Sequence, residues 1–335
     1  MSEPELRAGW REAPPPIVGE SLALRRVTHL AQRFAPRAKA TLILGATGTG
    51  KELLAEHIHA WSGRAGDLVD INCAALPREL VESLLFGQRR GVFTGAVETV
   101  PGLIEAADAG TLFLDEVDSL TLEGQAKLLR VLENHEVRRL GESGKRRVDF
   151  RIVAAARGPL GPAMAAGAFR PDLYQRLAGV VLILPPLADR GEDVVLLARH
   201  FADSHGALLA AEAEPVLRAY PWPGNVRELA ASIERATCLD PTGPLGPETL
   251  REAIALGAPG AVPPVTEAHG APTVETEALR AVLDVCEAHA WDARATAAAL
   301  GIGRTTLYLR LRAAGISLRR RKQLFRNVQN NAEQS

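Results

Sequence analysis

Two rhythms alternate along the chain. Short apolar runs occupy 41–44 (TLIL), 68–71 (LVDI), 111–114 (TLFL), 150–153 (FRIV) and 180–184 (VVLIL). Runs of this length, dense in Leu, Ile and Val, are β-strand candidates. Between them lie stretches with helical spacing, such as 51–60 and 125–133. Strands separated by helices predict a mostly parallel α/β sheet. From 192 to 256 the pattern is helical throughout, broken at Pro221-Trp-Pro-Gly224. Residues 257–274 contain four prolines and no periodicity, the composition of a linker. A second helical stretch covers 276–318 and is followed by the basic run Arg319-Arg-Arg-Lys322. The expected organisation is a polar lead-in at 1–16, an α/β core at 17–187, a helical lid at 188–256, the linker at 257–274, a small all-α domain at 275–318 and a basic, polar tail at 319–335.

Bulk composition narrows this picture only a little. Apolar residues make up 47% and charged residues 24% of the 335, an ordinary globular balance. The net charge of -1 gives no global attraction to nucleic acid, so any affinity for DNA must come from a local basic patch. The cysteines, Cys73, Cys238 and Cys286, are far apart and suggest neither a disulfide framework nor a zinc site. They read as reduced core thiols of a cytoplasmic protein. No run is long enough to cross a bilayer, and the N-terminus has no secretory apolar segment.

Candidate chemistry concentrates after the first strand. Gly45, Ala46, Thr47, Gly48, Thr49, Gly50 and Lys51 fit the pattern G-x-x-x-x-G-K, between a strand and a helix. Such a loop curls backbone N–H groups around phosphate oxygens, and the helix N-terminus adds partial positive charge. Lys51 is placed to reach the outer phosphates. Glu52 stands where Ser or Thr usually supplies a magnesium ligand; Thr49 or water is left to fill that place. The strand at 111–114 runs into Asp115 and Glu116. An acid pair after a strand is often a helix cap. Beside a phosphate loop it reads as a metal ligand, Asp115, and a group that polarises the attacking water, Glu116.

Further segments resemble the central domain of the sigma-54-dependent transcriptional activators, bacterial enhancer-binding proteins of the AAA+ class. Gly91-Val-Phe-Thr-Gly-Ala96 resembles that family's GAFTGA loop, Asn72-Cys-Ala-Ala-Leu76 its NCAAL, Phe169-Arg-Pro-Asp-Leu-Tyr-Gln-Arg-Leu177 its FREDLYYRL, and Trp222-Pro-Gly-Asn-Val-Arg-Glu-Leu229 its WPGNVREL. The resemblance implies an AAA+ P-loop core with a parallel sheet and helical lid. It implies ATP and Mg2+ as cofactors, ATP hydrolysis, and a ring, expected to be a homo-hexamer. Phe93 and Thr94 would touch sigma-54. Asn72 would restrain Glu116. Arg170 and Arg176 would act on the neighbouring subunit's nucleotide, and Arg227 on the lid would lie over the phosphates. One departure stands out: where the family usually continues with Thr-Asn after 151–155, this chain has Ala156 and Arg157. Arg157 is expected either to meet phosphate directly or to change how hydrolysis is coupled. Leu84, Gln88 and Ala188 also differ from the usual residues.

At the C-terminal end, Leu300-Gly-Ile-Gly303 separates two short helical patterns. Leu307 and Leu311 are spaced to pack inward. Arg304, Thr305, Thr306, Tyr308, Arg310 and Arg312 form a polar, basic face, the layout of a helix-turn-helix reading the major groove. An αα-hairpin for oligomerisation gives the same pattern. The segment also resembles the DNA-binding domain that ends sigma-54 activators. The expected partners are therefore double-stranded upstream enhancer DNA and the sigma-54 RNA polymerase holoenzyme. Because only residues 1–16 precede the core, the expectation is a member without an N-terminal regulatory domain. The alternatives are a DNA-binding AAA+ regulator that represses or works only in mixed rings, and an unrelated AAA+ loader or chelatase subunit.

Overall fold

The computed structural model describes residues 13–74, 78–89, 91, 99–241 and 243–257, and, further on, 285, 286, 288, 289, 295, 296, 299 and 300. The chain divides into two compact units, Met1–Ala261 and Val262–Ser335.

At the centre of the first unit is a five-stranded sheet: β1 (Ala40–Leu44), β2 (Leu68–Asn72), β3 (Thr111–Asp115), β4 (Arg151–Ala156) and β5 (Val181–Ile183). Its order is β2-β3-β4-β1-β5, and every pairing is parallel. These are the five runs anticipated from the sequence, each end within one residue except that β4 runs on three residues past Val153 to Ala156. The near-continuous hydrophobicity has a direct cause: both faces of the sheet are covered, so alternate residues feed two different cores. Leu42, Leu114, Ile152 and Ala154 pack on one side, against helices that include α3 (Arg78–Phe86), α5 (Leu122–Asn134) and α7 (Pro171–Leu177). Ile43, Phe113, Val153 and Leu182 pack on the other, against α1 (Leu22–Phe34) and α2 (Lys51–Ser62). α4 (Leu103–Ala106) and α6 (Gly161–Ala165) are short connectors.

After β5 the chain turns into the helical lid: α8 (Asp193–Ser204), α9 (Glu214–Ala219), α10 (Asn225–Leu239) and α11 (Pro247–Ala255). The lid has its own core, built from Val194, Leu197, Leu217, Trp222, Leu229, Ile233 and Leu250. One sequence expectation is corrected here. Cys73 and Cys286 are buried thiols, but Cys238 is exposed. It lies two positions beyond buried Ala236 on α10, hence on the opposite side of the helix.

In the second unit the described residues show helical i→i−4 bonds, His289 N–H to Val285 C=O at 3.2 Å and Leu300 N–H to Thr296 C=O at 3.0 Å. Arg304, Thr305, Thr306, Tyr308, Arg310 and Arg312 lie outside the described residues, as do Phe93 and Thr94.

Candidate nucleotide site

A parallel sheet brings all its C-terminal strand ends to one edge, where ligands of open α/β folds bind. Register fixes which residues meet there. Leu44 stands opposite Ala156, and Asn72 opposite Asp115. The loop after β1 therefore begins beside the end of β4, tied to it by Gly45 N–H to Ala156 C=O at 3.2 Å. Gly48 and Gly50 adopt φ of +78° and +100°, a region that favours glycine. A Cβ on Gly48 would lie 2.2 Å from the Gly224 carbonyl oxygen, so the lid comes as close as glycine permits.

Lys51 opens α2 and is buried. Its ammonium donates to the carbonyls of Gly45 at 2.8 Å and Ala46 at 3.2 Å. Burial lowers its pKa, while Asp115 and Glu116 pull in the opposite direction. The buried Thr49 hydroxyl donates to the Ala46 carbonyl at 2.8 Å. Glu52 is exposed.

At the end of β3 the Asp115 carboxylate accepts the Glu116 N–H at 2.9 Å and the Asn72 amide at 3.3 Å. The Asn72 side-chain oxygen accepts from Ala74 N–H at 2.9 Å. Asn72 thus bonds to Asp115, the residue it faces across the strands. The reason is register: residues directly opposite on adjacent strands are neighbours. Glu116 sits at φ 51°, ψ 47°, a left-handed conformation that costs a non-glycine residue about 1–3 kcal/mol. Its carboxylate meets the Arg157 guanidinium at 3.3 Å.

The lid closes over this edge through groups that the motif search did not weigh. Asn225 is buried, at φ 55°. Its side chain accepts the Leu187 N–H at 2.8 Å and donates to the Thr47 carbonyl at 3.0 Å. The Val226 and Arg227 N–H groups, at the start of α10, both donate to the Gly48 carbonyl, at 2.9 and 3.3 Å. Buried Arg190 donates to the carbonyls of Thr49 at 2.7 Å and Pro185 at 3.0 Å. Buried Asp193 accepts from the Glu20 and Ser21 N–H groups and the Ser21 hydroxyl, at 2.6, 2.9 and 2.6 Å. Asn225 lies inside a motif already singled out. Arg190 and Asp193 sit in the charged run Asp189-Arg-Gly-Glu-Asp193, where nothing local marks these two as the buried ones.

Between sheet edge, loop and lid is a cavity of about 460 Å³. Its lining combines the polar Thr49, Lys51, Asp115 and Arg227 with the apolar Ile17, Val18, Leu24 and Phe201. Such a site is shaped for a ligand with an apolar ring system and an anionic tail.

Comparison with known proteins agrees. Residues 17–183 match the family described as "Sigma-54 interaction domain", 188–265 match "AAA+ ATPase lid domain", and 271–313 match "Bacterial regulatory protein, Fis family". The regulatory protein AtoC of Escherichia coli is 39% identical over 313 residues, covering 90% of this chain and 68% of AtoC. The chain belongs to the sigma-54 interaction family of AAA+ proteins. Nitric oxide reductase transcription regulator NorR2 of Cupriavidus necator is 48% identical over 228 residues, 66% of this chain and 44% of that protein. This family member thus spans less than half the length of NorR2. Among solved structures, NtrX of Brucella abortus in complex with ATP superimposes with a TM-score of 0.65 at 33% identity, covering 90% of this chain and 70% of that one.

The remaining site residues of this family member lie away from the cavity. Arg170 makes a two-point ion pair with Asp172, at 3.0 and 2.7 Å. Arg176 faces Glu133 at 3.8 Å. Both arginines are at the surface, and neither lines the nucleotide cavity of its own chain. Among the described residues, no helix is long and apolar enough to cross a membrane.

Proposed function

We propose that the protein is a sigma-54-dependent transcriptional activator that binds enhancer DNA and couples ATP hydrolysis to opening of promoter complexes by sigma-54 RNA polymerase. The carrying observation is the convergence of Lys51, Asp115 and Arg227 on one cavity under the lid, in a chain of the sigma-54 interaction family. In this reading the N–H groups of residues 45–50 and Lys51 hold the phosphates, Arg227 covers them from the lid, and Glu116 accepts the proton of the attacking water. Magnesium fits the donors: Asp115 spends two acceptor sites on Glu116 and Asn72 and, as a carboxylate, has others left. Asp115 would hold the ion, which supplies neutralisation of developing phosphate charge. Arg170, paired at the surface with Asp172, and Arg176, 3.8 Å from Glu133, reach a neighbour's nucleotide in a hexameric ring. Phe93 and Thr94 form the contact to sigma-54. Arg304 and Thr305 read base edges, and Thr306, Tyr308, Arg310 and Arg312 complete the DNA-binding face. Work on DNA and polymerase places the protein in the cytoplasm.

The test is conversion of closed to open complexes by sigma-54 polymerase, with ATP turnover followed in the same reaction. Open complexes that require hydrolysable ATP are expected. Turnover without open complexes, on a promoter carrying the protein's own binding site, would remove the activator reading.

A further inference from the structure

We infer that Arg157 is a latch on Glu116 that the outer phosphate of ATP opens; the inference rests on the ATPase reading of the cavity. Arg157 follows Ala156, the last residue of β4, and Ala156 is paired with Leu44 immediately before the phosphate loop. The guanidinium is therefore anchored on the sheet edge that carries the loop. Glu116 arrives at the same edge from β3 through its left-handed turn, and its carboxylate takes a single contact from Arg157 Nη2, at 3.3 Å. Register and turn together set this pair across 41 residues of sequence.

The pair is built to exchange. The Arg157 side chain is 54% exposed and the Glu116 side chain 20%. A one-point contact at such exposure shifts an equilibrium by only about two- to five-fold. A phosphoryl group offers the planar guanidinium fork two oxygens and a larger charge, a stronger partner than one carboxylate oxygen. While Arg157 holds Glu116, that carboxylate oxygen is engaged by the guanidinium and is not free to meet the water. When a terminal phosphate enters, the guanidinium moves to it and Glu116 is released toward the water. ADP lacks that phosphate and leaves the latch closed. Arg157 thus acts on two partners, taking the terminal phosphate and freeing Glu116.

Equilibrium binding separates this from a structural role. A slowly hydrolysed fluorescent ATP analogue and fluorescent ADP, with Mg2+, are titrated onto the full chain and onto E116Q, R157N, E116Q/R157N and K51A. Glu116→Gln weakens the competing ion pair, freeing Arg157 for phosphate. It is expected to tighten the ATP analogue by about two- to five-fold where Arg157 is present, the size of the contact it abolishes. In the R157N background the same change should be under about two-fold, reflecting only loss of carboxylate–phosphate repulsion, and ADP should respond by no more than that in either background. Equal tightening in both backgrounds, or an ADP response as large as that of the ATP analogue, overturns the latch while leaving the cavity reading intact. K51A binding as tightly as the unchanged chain would instead remove the cavity reading, and the latch with it.

Discussion

Asn225 joins three parts that must stay in register: the loop that holds phosphate, the strand-to-lid connection and the first turn of α10. Replacing it by alanine removes a buried hydrogen bond from the Leu187 N–H at 2.8 Å and a part-buried one to the Thr47 carbonyl at 3.0 Å. The buried N–H left without a partner costs about 1–3 kcal/mol, and the part-buried carbonyl, open to water, about 1 kcal/mol. The position also lies at φ 55°, where alanine loses the tolerance that asparagine has, at about 1 kcal/mol. The sum is about 3–5 kcal/mol. For a unit of this size, that corresponds to a melting temperature lower by about 10 °C. Asn225→Gly should recover the backbone part, about 1 kcal/mol, and none of the hydrogen bonds. Asn225→Asp keeps the acceptor for Leu187 but sets a carboxylate against the Thr47 carbonyl. It should therefore melt below the unchanged chain, whose amide satisfies both. The assay is thermal unfolding of the full chain, with amide exchange followed at Leu187, Val226 and Arg227. Melting of Asn225→Ala within about 2 °C of the unchanged chain, with those amides still protected, would refute the claim that this side chain locks lid to loop.

Three further outcomes are expected. Arg170→Ala should bind ATP normally but hydrolyse it about 10³-fold more slowly; mixing it with Lys51→Ala chains should restore turnover, and absence of any restoration would remove the between-subunit role. Thr94→Ala should keep most of its ATP turnover while losing open-complex formation; loss of both together would mean the loop does more than contact sigma-54. The Cys73 thiol is pushed up to about 12, chiefly by burial and further by Asp115, Asp118 and Glu116. Above pH 9 the unfolded chain gives up this proton while the folded chain keeps it, so stability should fall as pH rises, by at most about 1.4 kcal/mol per pH unit. Cys73→Ala should lack that component between pH 9 and 12 when chemical-denaturation stabilities are compared, and an unchanged slope would show the thiol ionises freely in the fold.

Much of this architecture is legible residue by residue because its signals are short-range. Strands buried on both faces must be apolar almost throughout, so the five central strands announce themselves as runs of Leu, Ile and Val. The phosphate loop is legible because left-handed backbone at Gly48 and Gly50 favours glycine, and because a lysine must follow at one fixed spacing. The motif around Trp222 marks the lid for the same kind of reason: a tight turn leading into a helix.

What tertiary structure alone decided are the partnerships between distant residues. Nothing local says that Asn72 faces Asp115; that follows from the register of β2 on β3. Arg157 was noticeable as an unusual residue, yet its bond to Glu116 exists only because β3 and β4 are neighbours and Glu116 turns left-handed. Arg190 reaches the Thr49 carbonyl across 141 residues, and Asn225 reaches Thr47 across 178. Cys238 reads as a core thiol by composition and faces outward by helical phase. Periodicity and motif spacing record the needs of single elements. Strand order, register and lid placement are set by the summed packing of all of them, and those decide which charges and amides finally meet.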